Sequence, residues 1–295
     1  MFAERRNGSL RIAVASGKGG TGKTAVATNL AATLSSEGYR VVYADCDVEE
    51  PNGHIFLKPT IRSVERVGTP VPDVDLSRCN GCGKCGDICE FSAIVCMNGK
   101  VITFPELCHG CDGCILVCPE NAIRETQREI GCIERGRRDG IEFIHGVLRV
   151  GEAMSAPLIR AVKQKLSDED VAVIDAPPGT SCPVIETVRD TDFVLLVTEP
   201  TPFGLSDLRL AVEMVRALNL KLGVIINRCD IGNSGVRDYC AEQDIPLLLE
   251  IPDDREIARA YSRGQMAVEV APSLKVAFAG LWERIVTRIS SRNDE

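Results

Sequence analysis

The sequence predicts an α/β fold, a mostly parallel sheet flanked by helices, interrupted by a small α+β insert. Three observations carry this. Short apolar runs rich in Val and Ile alternate with helical patterns along most of the 295 residues, which is how βαβ units of a parallel sheet read. The first such run meets its helix through a glycine-rich turn at residues 16–22. Between residues 70 and 125 the alternation stops and cysteines recur at short, regular gaps. The chain therefore divides into a first part of the main domain at 1–69, an insert at 70–125 and a second part at 126–295.

Taken in order, residues 1–10 are polar and lack the apolar centre of a signal peptide. Residues 12–15 form a short apolar strand that runs into Ser16-Gly17-Lys18-Gly19-Gly20-Thr21-Gly22-Lys23-Thr24. Gly17, Gly22, Lys23 and Thr24 satisfy G-x-x-x-x-G-K-[ST], the phosphate-binding loop, and make the expected fold that of a P-loop NTPase. Glycines, here with Gly19, Gly20 and Thr21, let the backbone curl so that successive N–H groups face phosphate oxygens. The helix N-terminus that follows favours the same anion. Lys23 is expected at the β- and γ-phosphates of ATP, and the Thr24 hydroxyl on Mg²⁺.

After the loop, Ala27, Leu30, Ala31 and Leu34 recur at helical spacing, and Gly38 supplies a stop. Residues 41–44 read as a buried strand ending at Asp45-Cys46-Asp47. Carboxylates at the C-terminal end of a parallel strand face the ligand crevice. Asp47 is the candidate to orient the attacking water, with Asp45 beside it as a metal-site candidate. A solvated pair of turn carboxylates is the alternative.

The insert then reads Cys79-x-x-Cys82-x-x-Cys85-x-x-x-Cys89 and, about thirty residues on, Cys108-x-x-Cys111-x-x-Cys114-x-x-x-Cys118-Pro119. This is the two-cluster pattern of a bacterial ferredoxin, in which the fourth cysteine of each run ligates the other cluster. One [4Fe-4S] cluster is thus expected on Cys79, Cys82, Cys85 and Cys118, and the second on Cys108, Cys111, Cys114 and Cys89. Zinc sites use cysteine pairs, four ligands to one ion, and not two triplets with trailing fourths. Glu90 stands where the pattern usually has proline, and a carboxylate there should lower the nearby cluster's potential. His109 is expected in a surface loop, and Cys96 and Cys132 as packing thiols.

Beyond the insert, residues 128–143 suggest a β-hairpin and 151–166 a helix with Pro157 near its start. Residues 171–174 are a strand running into Asp175-Ala176-Pro177-Pro178-Gly179-Thr180, where Asp175 is the carboxylate expected to hold the Mg²⁺ shell. Strands at 193–197, 224–226 and 247–251 follow, the middle one ending at Asn227 and the last at Pro252. The final helix carries Leu274, Phe278, Leu281 and Ile285 on one stripe and ends in Asn293-Asp294-Glu295. That pattern suits docking on a sheet better than the basic polar face of a membrane-surface helix.

Composition narrows the classes. A net charge of −8 and a pI near 5.2 argue against nucleic acid held by phosphate contacts. No apolar run approaches a membrane span, so the expected location is the cytoplasm, where fourteen reduced cysteines mean metal or catalysis before disulfides.

The second lysine of the loop, Lys18 in K-G-G-T-G-K-T, resembles the deviant phosphate loop of the MinD/ParA/Mrp group, which includes the nitrogenase iron protein. The resemblance implies that Lys18 reaches the nucleotide of a facing subunit, and hence an ATP-dependent homodimer. It further implies that the D-A-P-P-G-T stretch senses the γ-phosphate, that Asn227 reads the adenine edge and that Pro252 flanks the base. The implied whole is a MinD-superfamily ATPase with a ferredoxin domain inserted between the first switch, around Asp47, and the helix after it. That switch-adjacent insertion motivates the leading reading, in which ATP-driven closure is coupled to electron transfer with a protein partner of unknown identity. Two rivals are an iron–sulfur cluster carrier and a partner-positioning ATPase. Mrp-type carriers hold a labile cluster on a C-terminal C-x-x-C, whereas Cys229 and Cys240 lie eleven apart. Cys182, seven residues past Asp175, matches in offset a cluster ligand of the nitrogenase iron protein. Its companion near Gly151-Glu152-Ala153 has no thiol, so Cys182 is expected as an interface-packed thiol.

Overall fold

The computed structural model describes residues 9–166 and 169–291. The polar stretch before residue 9 and the terminal Asn293-Asp294-Glu295 lie outside the described residues. Eleven strands form among them: β1 Leu10–Ala15, β2 Val41–Asp45, β3 Thr60–Val74, β4 Ile94–Met97, β5 Lys100–Thr103, β6 Ile123–Arg138, β7 Ile141–Leu148, β8 Val171–Asp175, β9 Phe193–Thr198, β10 Leu222–Asn227 and β11 Leu247–Ile251. Nine make one sheet in the order β11-β10-β9-β1-β8-β2-β7-β6-β3, and β4 pairs only with β5. The seven strands from β11 to β7 are parallel, and β6 is antiparallel to both its neighbours.

The parallel strands are buried on both faces, which is why they read as unbroken apolar runs. Along β1, Ile12 and Val14 enter the layer under helices Lys23–Ser36 and Pro272–Ser290. Ala13 and Ala15 enter the opposite layer, with Val212 and Val215 of helix Pro202–Ala217. The expected stripe Leu274, Phe278, Leu281, Ile285 is buried in the first layer, so the last helix packs on the sheet. No helix among the described residues is long and apolar enough to cross a membrane.

The hairpin expected at 128–143 forms as β6 and β7, joined at Asp139 (φ 46°) and Gly140 (φ 85°). Two consecutive positive φ values are the two-residue turn that matches strand twist, which Asp-Gly favours. The helix expected from 151 begins only at Ala156 and ends at Gln164. Gly151 stands at φ 83°, outside helical space, and Pro157 can occupy only a first turn.

The insert leaves from a different point than the sequence suggested. Helix Gly53–Leu57 follows the Asp45–Asp47 segment, and the chain then enters β3. β3 pairs with β6 from Thr60↔Arg137 to Val74↔Ile123, while β7 accompanies β6 only as far as Gly131↔Leu148. Past that pair β3 and β6 continue as a two-stranded ribbon bearing the insert. Because β6 runs antiparallel to β7, the ribbon emerges at the C-terminal edge of the parallel strands, the edge that also carries the phosphate loop. The drawn limits at 69/70 and 125/126 fall inside β3 and β6.

Candidate functional site

The loop between β1 and helix Lys23–Ser36 is held by close approaches that only glycine permits. A Cβ on Gly22, which stands at φ 91°, would lie 2.4 Å from Asn227 Nδ2, and one on Gly17 would lie 2.3 Å from the Asp207 carbonyl oxygen. Asn227 Nδ2 donates to the Thr21 carbonyl at 2.9 Å, and its Oδ1 accepts from Arg228 N. Asn227 thus braces the loop from β10. Gly19 and Gly20 have open space where a Cβ would stand.

Lys23 is buried, with Nζ 2.5 Å from Asp175 Oδ1 and 3.9 Å from Asp47 Oδ2. The other Asp175 oxygen accepts from the Tyr43 hydroxyl at 3.0 Å. Asp45 and Asp175 stand side by side in the β2–β8 register, and both are fully buried. Burial would lower the Lys23 pKa, but Asp175, with Asp45 and Asp47 adding, outweighs it and raises it. Burial pushes the Asp45 carboxyl well above the carboxylate range, with Asp175 adding to the effect. Burial likewise raises Asp47 to about 6, against the pull of Lys23. Both oxygens of Asp45 accept backbone N–H groups, from Asp47 at 3.1 Å and Gly53 at 2.9 Å. Its contacts therefore fold the segment that presents Asp47.

Lys18 is partly exposed and lies 3.8 Å from Glu199 Oε2, while Arg228 reaches the other Glu199 oxygen at 3.0 Å. Thr24 is half-buried in the first turn, and Pro252 is exposed at the end of β11. The structure brings together Lys23, Asp45, Asp47 and Asp175, with Lys18 and Asn227 flanking the same loop. Tyr43 and Glu199 were not singled out from sequence. Glu199 carries the signal that marked Asp45 and Asp175, a carboxylate directly after an apolar strand.

In the insert, one cavity is lined by Cys79, Cys82, Cys85 and Cys118, and a second by Cys89, Cys108, Cys111 and Cys114. The two halves repeat in backbone as well as in sequence. Gly81 and Gly110, Gly83 and Asp112, and Ser92 and Asn121 all have positive φ. Ala93 N donates to Cys89 Sγ as Ala122 N donates to Cys118 Sγ, each at 3.3 Å, and Gly110 N donates to Cys108 Sγ at 3.4 Å. Four thiols around each cavity, with N–H donors aimed at sulfur, form a donor set that fits a thiolate-bound cluster. All fourteen cysteines are free thiols. No group of three or more His, Cys, Asp or Glu side chains among the described residues closes on a single ion. Cys96 Sγ donates to the Gly81 carbonyl outside the ligand set, Cys132 is half-buried, and exposed His109 stacks on Phe91. Cys182 is exposed at the start of helix Cys182–Val188.

A phosphate loop at the end of β1, with carboxylates at the ends of β2 and β8, defines an α/β nucleotide-binding protein. The chain belongs to the CobQ/CobB/MinD/ParA nucleotide-binding domain family, whose model matches residues 12–268. It is similar to an uncharacterized protein of Methanocaldococcus jannaschii, 35% identical over 94% of this chain and 98% of that one. It also resembles the iron-sulfur cluster carrier protein of Pyrococcus horikoshii, 26% identical over 95% of this chain and 86% of that one. Among solved structures, septum site-determining protein MinD from Pyrococcus horikoshii, complexed with Mg-ADP, superposes with a TM-score of 0.59 at 22% identity over 94% of this chain and 96% of that one. That likeness is one of fold.

Proposed function

We propose that this chain is a Mg²⁺-dependent ATPase carrying two [4Fe-4S] clusters, and that it couples ATP-driven closure of a homodimer to electron transfer. The observation that carries the reading is the shared edge: two four-cysteine cavities hang from a ribbon that leaves the sheet where the phosphate loop sits. Lys23 exchanges Asp175 for the β- and γ-phosphate oxygens of bound ATP, and the amides of residues 17–24 neutralise phosphate charge. Asp47 accepts a hydrogen bond from the attacking water and holds it in line with the γ-phosphate. The Thr24 hydroxyl and Asp175 would hold Mg²⁺, which would supply further charge neutralisation there. Lys18 leaves Glu199 for the nucleotide of the facing subunit, and Asn227 and Pro252 border the base. Cys79, Cys82, Cys85 and Cys118 would hold one cluster, and Cys89, Cys108, Cys111 and Cys114 the other.

Anaerobic iron and sulfide analysis, with ATPase and cluster-reduction assays on the same preparation with and without ATP, tests the reading. About eight irons per chain are expected. A colourless, zinc-filled protein prepared without oxygen would rule out the ferredoxin assignment.

The likeness to an iron-sulfur cluster carrier protein favours a second reading, in which the clusters are cargo. Transfer to an apo-acceptor decides between them, since a carrier loses its clusters and a redox protein keeps them and cycles.

A further inference from the structure

The ribbon that bears the insert is pinned at its root by a buried ion pair. Arg128 of β6 pairs with Glu152 of the loop after β7, with NH1 2.5 Å from Oε2 and NH2 3.1 Å from Oε1. Their side chains are 11% and 1% exposed, so both charges are withdrawn from water and depend on each other. The pair sits where the ribbon leaves the sheet. Gly131↔Leu148 is the last pairing of β6 with β7, and the opposite strand shifts register between Val67 and Gly68, next to Thr69, which faces Arg128.

Two further contacts give the pair a direction. On the nucleotide side, Leu148 N donates to the carbonyl of Val48, the residue after Asp47, and Arg149 N donates to Ile130 of β6. A displacement of the Asp47 segment is therefore transmitted by backbone hydrogen bonds to the start of the loop that holds Glu152. On the insert side, Arg128 lies within electrostatic reach of Glu106 and Cys108. Cys108 Sγ contacts the Pro70 carbonyl, and Pro70 faces Gln127, the neighbour of Arg128. Glu152 faces Arg128 and Arg149 instead. Arg128 thus lies between Glu152, on the loop after β7, and the part of the insert that carries Glu106 and Cys108.

We infer that Arg128 is a positioning residue that links the nucleotide state to the potential of the ribbon-proximal cluster, with Glu152 as the element that holds or releases its charge. This deepens the function proposed above and rests on it. With the pair closed, Glu152 neutralises the guanidinium. When ATP binding draws the Asp47 segment and the loop toward the phosphates, the pair lengthens and Arg128 presents an uncompensated positive charge beside Cys108. A cation near a cluster favours its reduced, more negative form and raises its potential.

The test is an anaerobic, spectroscopically monitored redox titration of the full-length protein with and without ATP. The distal cluster, on Cys79, Cys82, Cys85 and Cys118, serves as internal reference. In the unsubstituted protein one midpoint rises with ATP and the other stays. Glu152→Gln holds the proximal midpoint high with or without nucleotide, while Arg128→Gln lowers it and removes the ATP response. Arg128→Lys keeps the charge and restores part of that response, and Glu152→Gln carries the test should Arg128→Gln not fold. A purely structural joint would move both midpoints, and would move them alike in Glu152→Gln and Arg128→Gln. Shifts of the same sign, or an ATP response surviving in Arg128→Gln, would overturn the inference while leaving the two-cluster ATPase reading intact. A protein without two clusters would overturn both.

Discussion

Replacing Lys23 by Met should destabilise the nucleotide-free protein in a strongly pH-dependent way. Lys23 is the cation set among Asp175, Asp47 and Asp45, of which Asp45 and Asp175 are fully buried. Removing one partner of a buried pair costs about 3–5 kcal/mol when the other must stay charged. The stranded carboxyl escapes that cost by taking up a proton. Its folded pKa then lies above its unfolded value, so the folded state holds a proton the unfolded state lacks, and stability falls as pH rises through that window. Holding the proton costs about 1.4 kcal/mol per pH unit above an unfolded pKa of about 3.9, hence about 1.5 kcal/mol at about pH 5 and the full 3–5 kcal/mol by about pH 8. In the unsubstituted protein Lys23 stays charged throughout this range, because its pKa is raised from an already basic 10.5. Urea unfolding read from Trp282, the sole tryptophan, packed against Tyr39 in the main core, gives the two differences directly. Equal losses at both pH values would refute the claim that Lys23 neutralises a buried carboxylate.

Other substitutions separate the remaining parts of the site. Lys18→Ala should leave ATP affinity within about tenfold, about 1.4 kcal/mol, yet abolish ATP-induced dimerisation and turnover, which light scattering and phosphate release report. Hydrolysis should decline as pH falls through about 6, where burial has raised the Asp47 carboxyl, because only the carboxylate accepts from the attacking water. Asp47→Asn should remove that limb along with most of the rate, and an unchanged profile would take Asp47 out of the role. Cys182→Ser should leave iron per dimer unchanged, whereas a loss of about four irons with ferredoxin signals intact would reveal a third cluster at the interface.

The elements legible in sequence are those whose signal is local. The phosphate loop is contiguous, and strands β1, β2, β8, β9, β10 and β11 announce themselves because burial on both faces demands unbroken apolar runs. The cysteine runs are legible because each is contiguous, and their crossed grouping comes from the two-cluster pattern rather than from the spacing within either run. What stayed hidden depends on partners far apart in the chain. Nothing near Asp45 shows that both its oxygens are engaged by backbone N–H groups, and nothing near Tyr43 shows that it reaches Asp175. β3 was unreadable for a different reason. Pro70 and Pro72 within fifteen residues argue against a strand, but β3 is the sheet's outermost strand, where a missing N–H need not cost a ladder bond.

The same edge position explains how a nucleotide-binding core tolerates the cysteine-rich insert. An insertion between parallel strands must pass through a crossover that packs on the sheet, and lengthening one risks the buried layers. An antiparallel ribbon added beyond β7 leaves every parallel register as it was. Its liability is that two strands alone are marginally stable in water and that an open edge invites pairing with other chains. Charges along the ribbon answer the second. Arg124 pairs with Asp73 at 2.6 Å, Arg66 with Glu129 at 3.4 Å, and Lys165 ties Glu65 to the main domain at 2.7 Å. Exposed ion pairs of this kind contribute little energy each, so the stiffness of the ribbon must come from its root. There the ladder to β7 ends and the Arg128–Glu152 pair takes over, beside the loop that follows β7.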